Sequence, residues 1–122
     1  MKKIIFILLV FLNTNTFAVE KSSTFTMEVF KKAQAEGKVV VINSWNKTCL
    51  TCKKQTQILE KAKKNFDEVL FLSFEQTKDK DIANFLGIDY WTTIVIYKQN
   101  KELYRSLGEV NKAKIFSAID NI

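Results

Sequence analysis

The sequence predicts one α/β domain in which a mixed central sheet is covered by helices on both faces. Two observations carry this fold class. Short runs of β-branched and apolar residues alternate with stretches of helical periodicity, and a hairpin signal follows the last of those runs. Strands that alternate with helices are expected to pair in parallel, and the hairpin adds an antiparallel edge. A chain of 122 residues with 47% hydrophobic and 26% charged residues suits a single globular domain and excludes a disordered or fibrous protein.

Residues 1–18 have the layout of a secretory signal peptide. The segment begins with the positive Met1-Lys2-Lys3, continues with the unbroken apolar run 4–12 and ends at Thr16-Phe17-Ala18, where small residues stand at the positions read by signal peptidase. The apolar run is shorter than the about 20 residues of a membrane span, and an uncleaved anchor is the alternative. We therefore expect an exported, periplasmic protein whose folded domain is 19–122.

The first half of the domain predicts two helices and two strands after a frayed start at 20–23. Thr26 is suited to cap the first helix, which Gly37 ends. The β-branched run Val39–Ile42 is typical of a strand buried on both faces. A second helix and a second buried strand follow, at Cys49 to about Lys64 and at Val69–Leu72.

The second half predicts two strands between two helices. Ile82–Leu86 marks a short helix that ends before a glycine. The third strand, Thr93–Tyr97, and the fourth, Glu102–Ser106, are joined by a hairpin turn at 99–101. The chain closes with a helix over 110–122, whose apolar positions recur at helical spacing.

The motif Cys49-Leu50-Thr51-Cys52 lies where a buried strand ends and a helix begins. Unpaired N–H groups and the helix dipole favour an anion there and lower the pKa of the Cys49 thiol. Cys52, one turn later, points back and can close a disulfide, which an exported chain is expected to carry at least part of the time. These positions predict thiol-disulfide exchange: the Cys49 thiolate attacks a partner disulfide, and Cys52 resolves the mixed disulfide.

Other chemistries have little support in the composition. The chain has no histidine, the commonest general base and metal ligand. Its net charge of +6 comes from scattered lysines rather than from one basic run, so we expect no nucleic-acid partner. We also expect no cofactor, no metal centre and a monomer.

Two other interpretations of the cysteine pair stay open. An inert disulfide would close only a very small loop and would remove little chain entropy from the unfolded state. A closed zinc site needs four ligands, so a metal bound by two thiols would need a dimer or borrowed ligands. The alternative function is a non-catalytic module that binds a protein partner or a metal.

The chain resembles the thioredoxin family, and in particular its exported bacterial members. Val39–Trp45 followed by Cys49–Lys53 is similar to the family's central strand, tryptophan and redox helix, and the segments around Gly87-Ile88 and Gly108 fit later parts of its fold. The resemblance implies a thioredoxin-like three-layer fold, with Cys49 as the exposed nucleophile and Cys52 as the buried resolving thiol. It also implies protein thiols and disulfides as partners, among them a membrane-bound redox partner.

The chain departs from the family pattern next to the motif. Thr48 stands where the family usually has a second tryptophan, and Leu50-Thr51 replaces the common Gly-Pro. Asn43 occupies the place of a buried acid that helps to deprotonate the second cysteine, and an amide cannot accept that proton. We expect Trp45 to support the site by packing beside it and Asn43 to support it as a hydrogen-bonded strand residue.

The usual cis-proline is also replaced, by Thr92 after Trp91. A cis bond before a residue other than proline costs about 2.5–4 kcal/mol, so we expect the Trp91–Thr92 bond to be trans. In the family this loop faces the disulfide and pairs with the substrate backbone, which makes Trp91 and Thr92 the predicted substrate-binding residues. A core position is the alternative for Trp91. The proline is thought to keep metals off the thiols, and its absence leaves the metal alternative open.

Overall fold

The computed structural model describes residues 23–122, and the predicted signal peptide lies outside that range. The described chain forms five strands and four helices. In chain order they are β1 (Ser23–Thr24), α1 (Met27–Ala35), β2 (Val39–Trp45), α2 (Leu50–Asn65), β3 (Leu70–Glu75), α3 (Lys80–Leu86), β4 (Thr93–Lys98), β5 (Lys101–Leu107) and α4 (Lys112–Asp120).

The strands form one mixed sheet in the order β1-β3-β2-β4-β5. β2 pairs in parallel with β3, and β4 pairs antiparallel with β5, as predicted. The pairing of β4 with β2 is antiparallel, which corrects the expectation that strands separated by helices run in parallel. The seven residues of α3 span only about 10 Å, whereas a strand of seven residues spans about 23 Å. The helix α3 alone is therefore too short to bring the chain back to the end of the sheet where β3 begins.

The helices lie on both faces of the sheet, which confirms the three-layer prediction. One apolar cluster packs α1 and α3 against one face, around Phe30, Ile42 and Leu86. The other packs α2 and α4 against the opposite face, around Val41 and Ile115. Side chains of successive strand residues point to opposite faces, so the β-branched run of β2 supplies both clusters, as its pattern predicts.

The ends of the elements follow local chemistry. The Thr26 hydroxyl accepts a hydrogen bond from the Val29 N–H at the start of α1, as predicted for a cap. Gly87 ends α3 in the left-handed conformation, with φ 63°. The expected frayed start is wrong at Ser23, which begins β1 and pairs in parallel with Leu72 of β3.

The topology places the ends of several elements at one edge of the sheet. β2 ends there, α2 begins there, and the chain enters β4 there after the loop 87–92. Side chains from these segments therefore meet although they are far apart in sequence. No helix within 23–122 is long and apolar enough to cross a membrane.

Candidate active site

Cys49 is the N-cap residue of α2, at the edge where β2 ends. Its extended backbone, with φ −95° and ψ 108°, directs the sulfur back over the first turn, where Sγ accepts a hydrogen bond from the Cys52 N–H at 3.0 Å. The short loop before it is fixed by Asn46, whose side-chain oxygen accepts hydrogen bonds from the N–H and the hydroxyl of Thr48. The sulfur therefore satisfies a main-chain donor that the helix leaves free, and this contact strengthens when the sulfur is negatively charged.

Cys49 and Cys52 form a disulfide with a Cα–Cα distance of 5.2 Å. Cys49 is partly exposed, whereas Cys52 is buried, with 3% of its surface exposed. The first turn of α2 contains no acidic residue, and Lys53 and Lys54 follow the motif. A partner can therefore reach the first sulfur and not the second, and the local charges favour an anion at the helix start.

Thr92 lies against both sulfurs. Its Oγ1 is 3.0 Å from Cys52 Sγ and 3.3 Å from Cys49 Sγ. No peptide bond within 23–122 is cis, so the bond from Trp91 to Thr92 is trans, as expected. Of the predicted substrate-binding pair, Trp91 is exposed, whereas Thr92 is only 4% exposed and directs its hydroxyl inward to the disulfide.

The backbone of Thr92 is held in an unusual conformation by three hydrogen bonds. Its φ is 66°, a region that β-branched residues rarely occupy. Its N–H donates to the Ser44 carbonyl at 2.8 Å, and its carbonyl accepts from the Gly108 N–H at 2.9 Å and from Gln55 Nε2 at 3.1 Å. These contacts compensate for the local strain and fix the position of the hydroxyl.

A second group of hydrogen bonds fixes the loop before Thr92. The Ser44 hydroxyl, which is fully buried, donates to the Tyr90 carbonyl at 2.9 Å and accepts from the Thr93 N–H at 3.3 Å. The Thr93 hydroxyl donates to the same carbonyl at 2.8 Å. The loop is thus held by hydrogen bonds from Ser44 of β2 and from Gln55 of α2.

A cleft of about 600 Å³ is lined by both cysteines and by further residues of α2, β2 and β3. Asn43 and Trp45, the two predicted supporting residues, both line it together with Cys52. Asn43 is 8% exposed, and its side chain makes no hydrogen bond to any residue in 23–122. The neighbouring strand places Ser73 beside it. Neither side chain carries a carboxylate, and the carboxylate of Glu60, which also lines the cleft, pairs with Lys63 at 2.7 Å.

Exposed apolar side chains surround the entrance to the disulfide. We call Leu50, Tyr90, Trp91 and Leu107 the apolar rim, because each is exposed and directly adjoins a residue of the site or of its supporting loop. Leu107 pairs with Thr93 across β4 and β5, which places it beside the Thr92 loop. These side chains offer apolar contact area next to the disulfide.

The cysteine pair presents few groups that could hold a metal ion. In the part of the chain from 23 to 122, no three residues of the types His, Cys, Asp and Glu come together as a possible ion site. The two sulfurs and the Thr92 hydroxyl fall short of the four ligands of a closed zinc site.

Gln55, Ser44 and Gly108 are the residues of the site that sequence reasoning missed. The position of Gln55 could have been noticed in the sequence. It stands on the same face of α2 as Leu59 and Ala62, where an apolar residue is expected. A polar side chain at such a position implies a buried hydrogen-bonding partner. Ser44 and Gly108 contact the main chain of Thr92 through their own main chains, and the Ser44 hydroxyl also contacts Tyr90 and Thr93. No local pattern indicates these contacts.

Comparisons with known proteins agree with this geometry. The family described as Thioredoxin matches residues 16–121 of the chain. The chain is 30% identical to thioredoxin H-type from Fagopyrum esculentum over 81 residues, which cover 66% of this chain and 70% of that protein. It is 29% identical to a thioredoxin from Mycoplasma genitalium over 84 residues, which cover 69% of this chain and 82% of that protein.

Solved structures show the same fold. Trxlp from Edwardsiella tarda superposes with a TM-score of 0.72 at 20% identity, over 79% of this chain and 95% of that one. Oxidised mitochondrial thioredoxin 3 from Saccharomyces cerevisiae superposes with a TM-score of 0.71 at 20% identity, over 84% and 94%. A thioredoxin from Malassezia sympodialis has a TM-score of 0.70 at 26% identity, over 82% and 89%.

Proposed function

This chain belongs to the thioredoxin family of thiol-disulfide oxidoreductases, and we propose that it is an exported member that exchanges disulfides with other proteins through Cys49 and Cys52. One observation carries the assignment of roles. The partly exposed Cys49 caps α2 and accepts the Cys52 N–H, whereas Cys52 itself is buried. The accessible, stabilised sulfur is the nucleophile, and the sheltered one resolves.

The reaction proceeds in two exchanges when the pair starts reduced. The Cys49 thiolate attacks one sulfur of the partner disulfide, and the other partner sulfur leaves as a thiolate that takes a proton from water. The Cys52 thiol then loses its proton to water, and its sulfur attacks Cys49. The Cys49–partner bond breaks, the second partner sulfur leaves as a thiolate, and two electrons have passed to the partner. The reverse sequence transfers the disulfide to a partner dithiol.

The apolar rim supports a protein as the partner. Thioredoxins act on protein disulfides, and Leu50, Trp91 and Leu107 give this site an apolar contact surface that a small disulfide does not need. The main chain of Thr92 is engaged within the protein, whereas no main-chain hydrogen bond of Trp91 is found within 23–122. We therefore assign any main-chain pairing with a bound partner to Trp91.

One turnover leaves the pair in the opposite redox state, so a second partner must restore it. We propose that this partner is membrane-bound and that the chain acts as a monomer. Electron transfer to the pair from purified membranes, measured with the soluble fraction as control, tests the first part. Sedimentation of the purified chain tests the second, and a stable dimer would exclude a monomer.

Export rests on the segment before the family match. The match begins at residue 16, and the preceding residues have the positive start and apolar run of a signal peptide. We expect the secreted protein to begin at Val19. Sequencing its first residues after expression in a bacterial host tests this, and an intact Met1 on a membrane-bound product would favour an anchor.

Two single substitutions test the proposed roles. Cys52→Ser should accumulate a mixed disulfide through Cys49 when it is mixed with a disulfide-bonded test protein, because the resolving thiol is missing. Cys49→Ser should abolish exchange. If both variants reduce the test protein as fast as the parent chain, the proposed function is wrong. The equilibrium of the pair with glutathione then gives its reduction potential, which indicates the direction of electron transfer. A potential near −120 mV indicates an oxidant, and one near −270 mV indicates a reductant.

A further inference from the structure

We propose that the Thr92 hydroxyl is a catalytic hydrogen-bond donor that stabilises the negative charge on whichever sulfur carries it, Cys49 in the reduced protein and Cys52 in the mixed disulfide. This inference rests on the proposed function and assigns a role at the same site. It follows from the position of one oxygen, which lies 3.0 Å from Cys52 Sγ and 3.3 Å from Cys49 Sγ.

Cys52 depends on this hydroxyl more than Cys49 does. Cys49 Sγ also accepts the Cys52 N–H at the start of α2. For Cys52 Sγ, Thr92 Oγ1 is the one hydrogen-bond partner among residues 23–122. Because Cys52 is 3% exposed, burial disfavours its thiolate unless a donor compensates.

The cleft beside Cys52 does not supply another donor or base in contact with the sulfur. Asn43 and the charged residues Lys47, Lys53, Glu60 and Lys63 line the cleft, but within 23–122 the hydrogen bonds of the two sulfurs involve only the Thr92 hydroxyl and the Cys52 N–H. An amide is also unable to accept the thiol proton. The hydroxyl of Thr92 is therefore the group left to stabilise the anion when the proton of Cys52 leaves to water.

The hydroxyl is held in place before the reaction begins. Main-chain hydrogen bonds to Ser44 and Gly108, together with the side chain of Gln55, fix the Thr92 backbone at a positive φ. A single O–H can rotate from one sulfur to the other while its oxygen stays in place. A strained residue held by its surroundings beside reacting atoms is typical of a preorganised site.

The electron balance of the resolving step is unchanged by this role. The Cys52 thiol loses its proton to water, and Thr92 donates a hydrogen bond to the resulting thiolate without transferring its own proton. The Cys52–Cys49 bond then forms as the Cys49–partner bond breaks. The partner sulfur leaves with the electron pair and takes a proton from water.

The test uses the full reduced chain and an aromatic disulfide that releases one coloured thiolate at each of the two steps. The first release reports the attack by Cys49, and the second reports the attack by Cys52. Thr92→Val keeps the β-branched shape and removes the hydroxyl. We expect it to slow the second release about tenfold at neutral pH, which corresponds to about 1.4 kcal/mol, and to raise the midpoint of the Cys49 thiolate titration.

Two matched variants separate hydrogen bonding from general loosening of the loop. Thr92→Ser keeps the hydroxyl, and we expect rates within about twofold of the parent chain. Thr93→Val removes the adjacent hydroxyl, which donates to the Tyr90 carbonyl, and so measures what loosening the loop does by itself to the thiolate titration. A shift as large as that of Thr92→Val would overturn the role of the Thr92 hydroxyl. Thr92→Ala provides a second hydroxyl-free side chain in case the valine variant does not fold.

The outcomes distinguish this inference from the proposed function. The role of the hydroxyl is supported if the parent chain releases both thiolates at normal rates and only Thr92→Val and Thr92→Ala release the second one slowly. Equal second-phase rates in the parent chain and in these variants overturn it and leave the exchange reaction intact. If the parent chain itself releases no coloured thiolate, the proposed function has failed.

Discussion

The side chain of Gln55 donates to the carbonyl of Thr92 at 3.1 Å, so helix α2 holds the loop that faces its own disulfide. The same nitrogen donates to the Glu109 carbonyl at 3.0 Å, which adds the segment before α4. Gln55 is fully buried, and its Oε1 has no partner within the described chain. One amide thus joins three segments, and α2 and the Thr92 loop are expected to move together.

Replacing Gln55 with Leu should lower the free energy of unfolding by about 1–2 kcal/mol. The Glu109 carbonyl loses its side-chain partner, while the Thr92 carbonyl keeps the Gly108 N–H. The loss of the unpaired Oε1 offsets part of the cost. Urea unfolding of the oxidised chain measures the change, and Gln57→Leu, on the exposed side of α2, should stay within about 0.5 kcal/mol. Equal stability of Gln55→Leu and the parent chain would contradict the structural role.

Replacing Trp91 with Ala should raise the KM for a disulfide-bonded protein while leaving the rate with a small aromatic disulfide unchanged. The large apolar contact is lost, but the sulfurs and Thr92 are not altered. Leu103→Ala is a matched control, because Leu103 is 46% exposed, Trp91 is 45% exposed, and Leu103 lies on β5 near the hairpin end. Steady-state kinetics with both substrates measure the effect. A uniform loss with both substrates would instead indicate damage to the cysteine pair.

Replacing Asn43 with Asp should destabilise the protein increasingly as the pH rises from about 4 to about 7. Burial would raise the pKa of the new carboxyl above its unfolded value, so the folded state binds more protons in that range and stability falls with pH. Unfolding at both pH values measures the change relative to the parent chain. The exposed Asn100→Asp is the control and should show little change between them. A pH-independent difference would mean that the cleft hydrates the carboxylate.

The Tyr97→Phe variant should lose less stability than the parent chain when the pH rises above about 10. Burial and the nearby charge of Glu102 raise the pKa of Tyr97 above its ordinary value of 10.0. The folded state therefore favours the neutral phenol, and its advantage is lost as the pH rises through the folded pKa. The ring contact with Phe30, at 5.2 Å between centroids, is kept in the variant. Denaturant unfolding at about pH 8 and about pH 11 checks this, since lysine titration affects both chains equally.

Local patterns predicted the elements and the cysteine motif, because periodicity and helix ends depend on neighbouring residues. They did not predict the direction of β4, since an alternating or β-branched run is the same in either direction. β1 has only two residues, too few for any period. The inward direction of Thr92 depends on Ser44 and Gly108, which the fold alone brings to it.

The separation of Cys52 and Thr92 by 40 residues has a consequence for biosynthesis. A ribosome adds about 5–20 residues per second, so the cysteine motif is complete about 2–8 s before its threonine exists. During that interval Cys52 has no threonine hydroxyl beside it, whereas the contact of Cys49 with the Cys52 N–H needs only the three residues that follow it. A translation product that ends before residue 92 would therefore carry both cysteines without the donor proposed for Cys52.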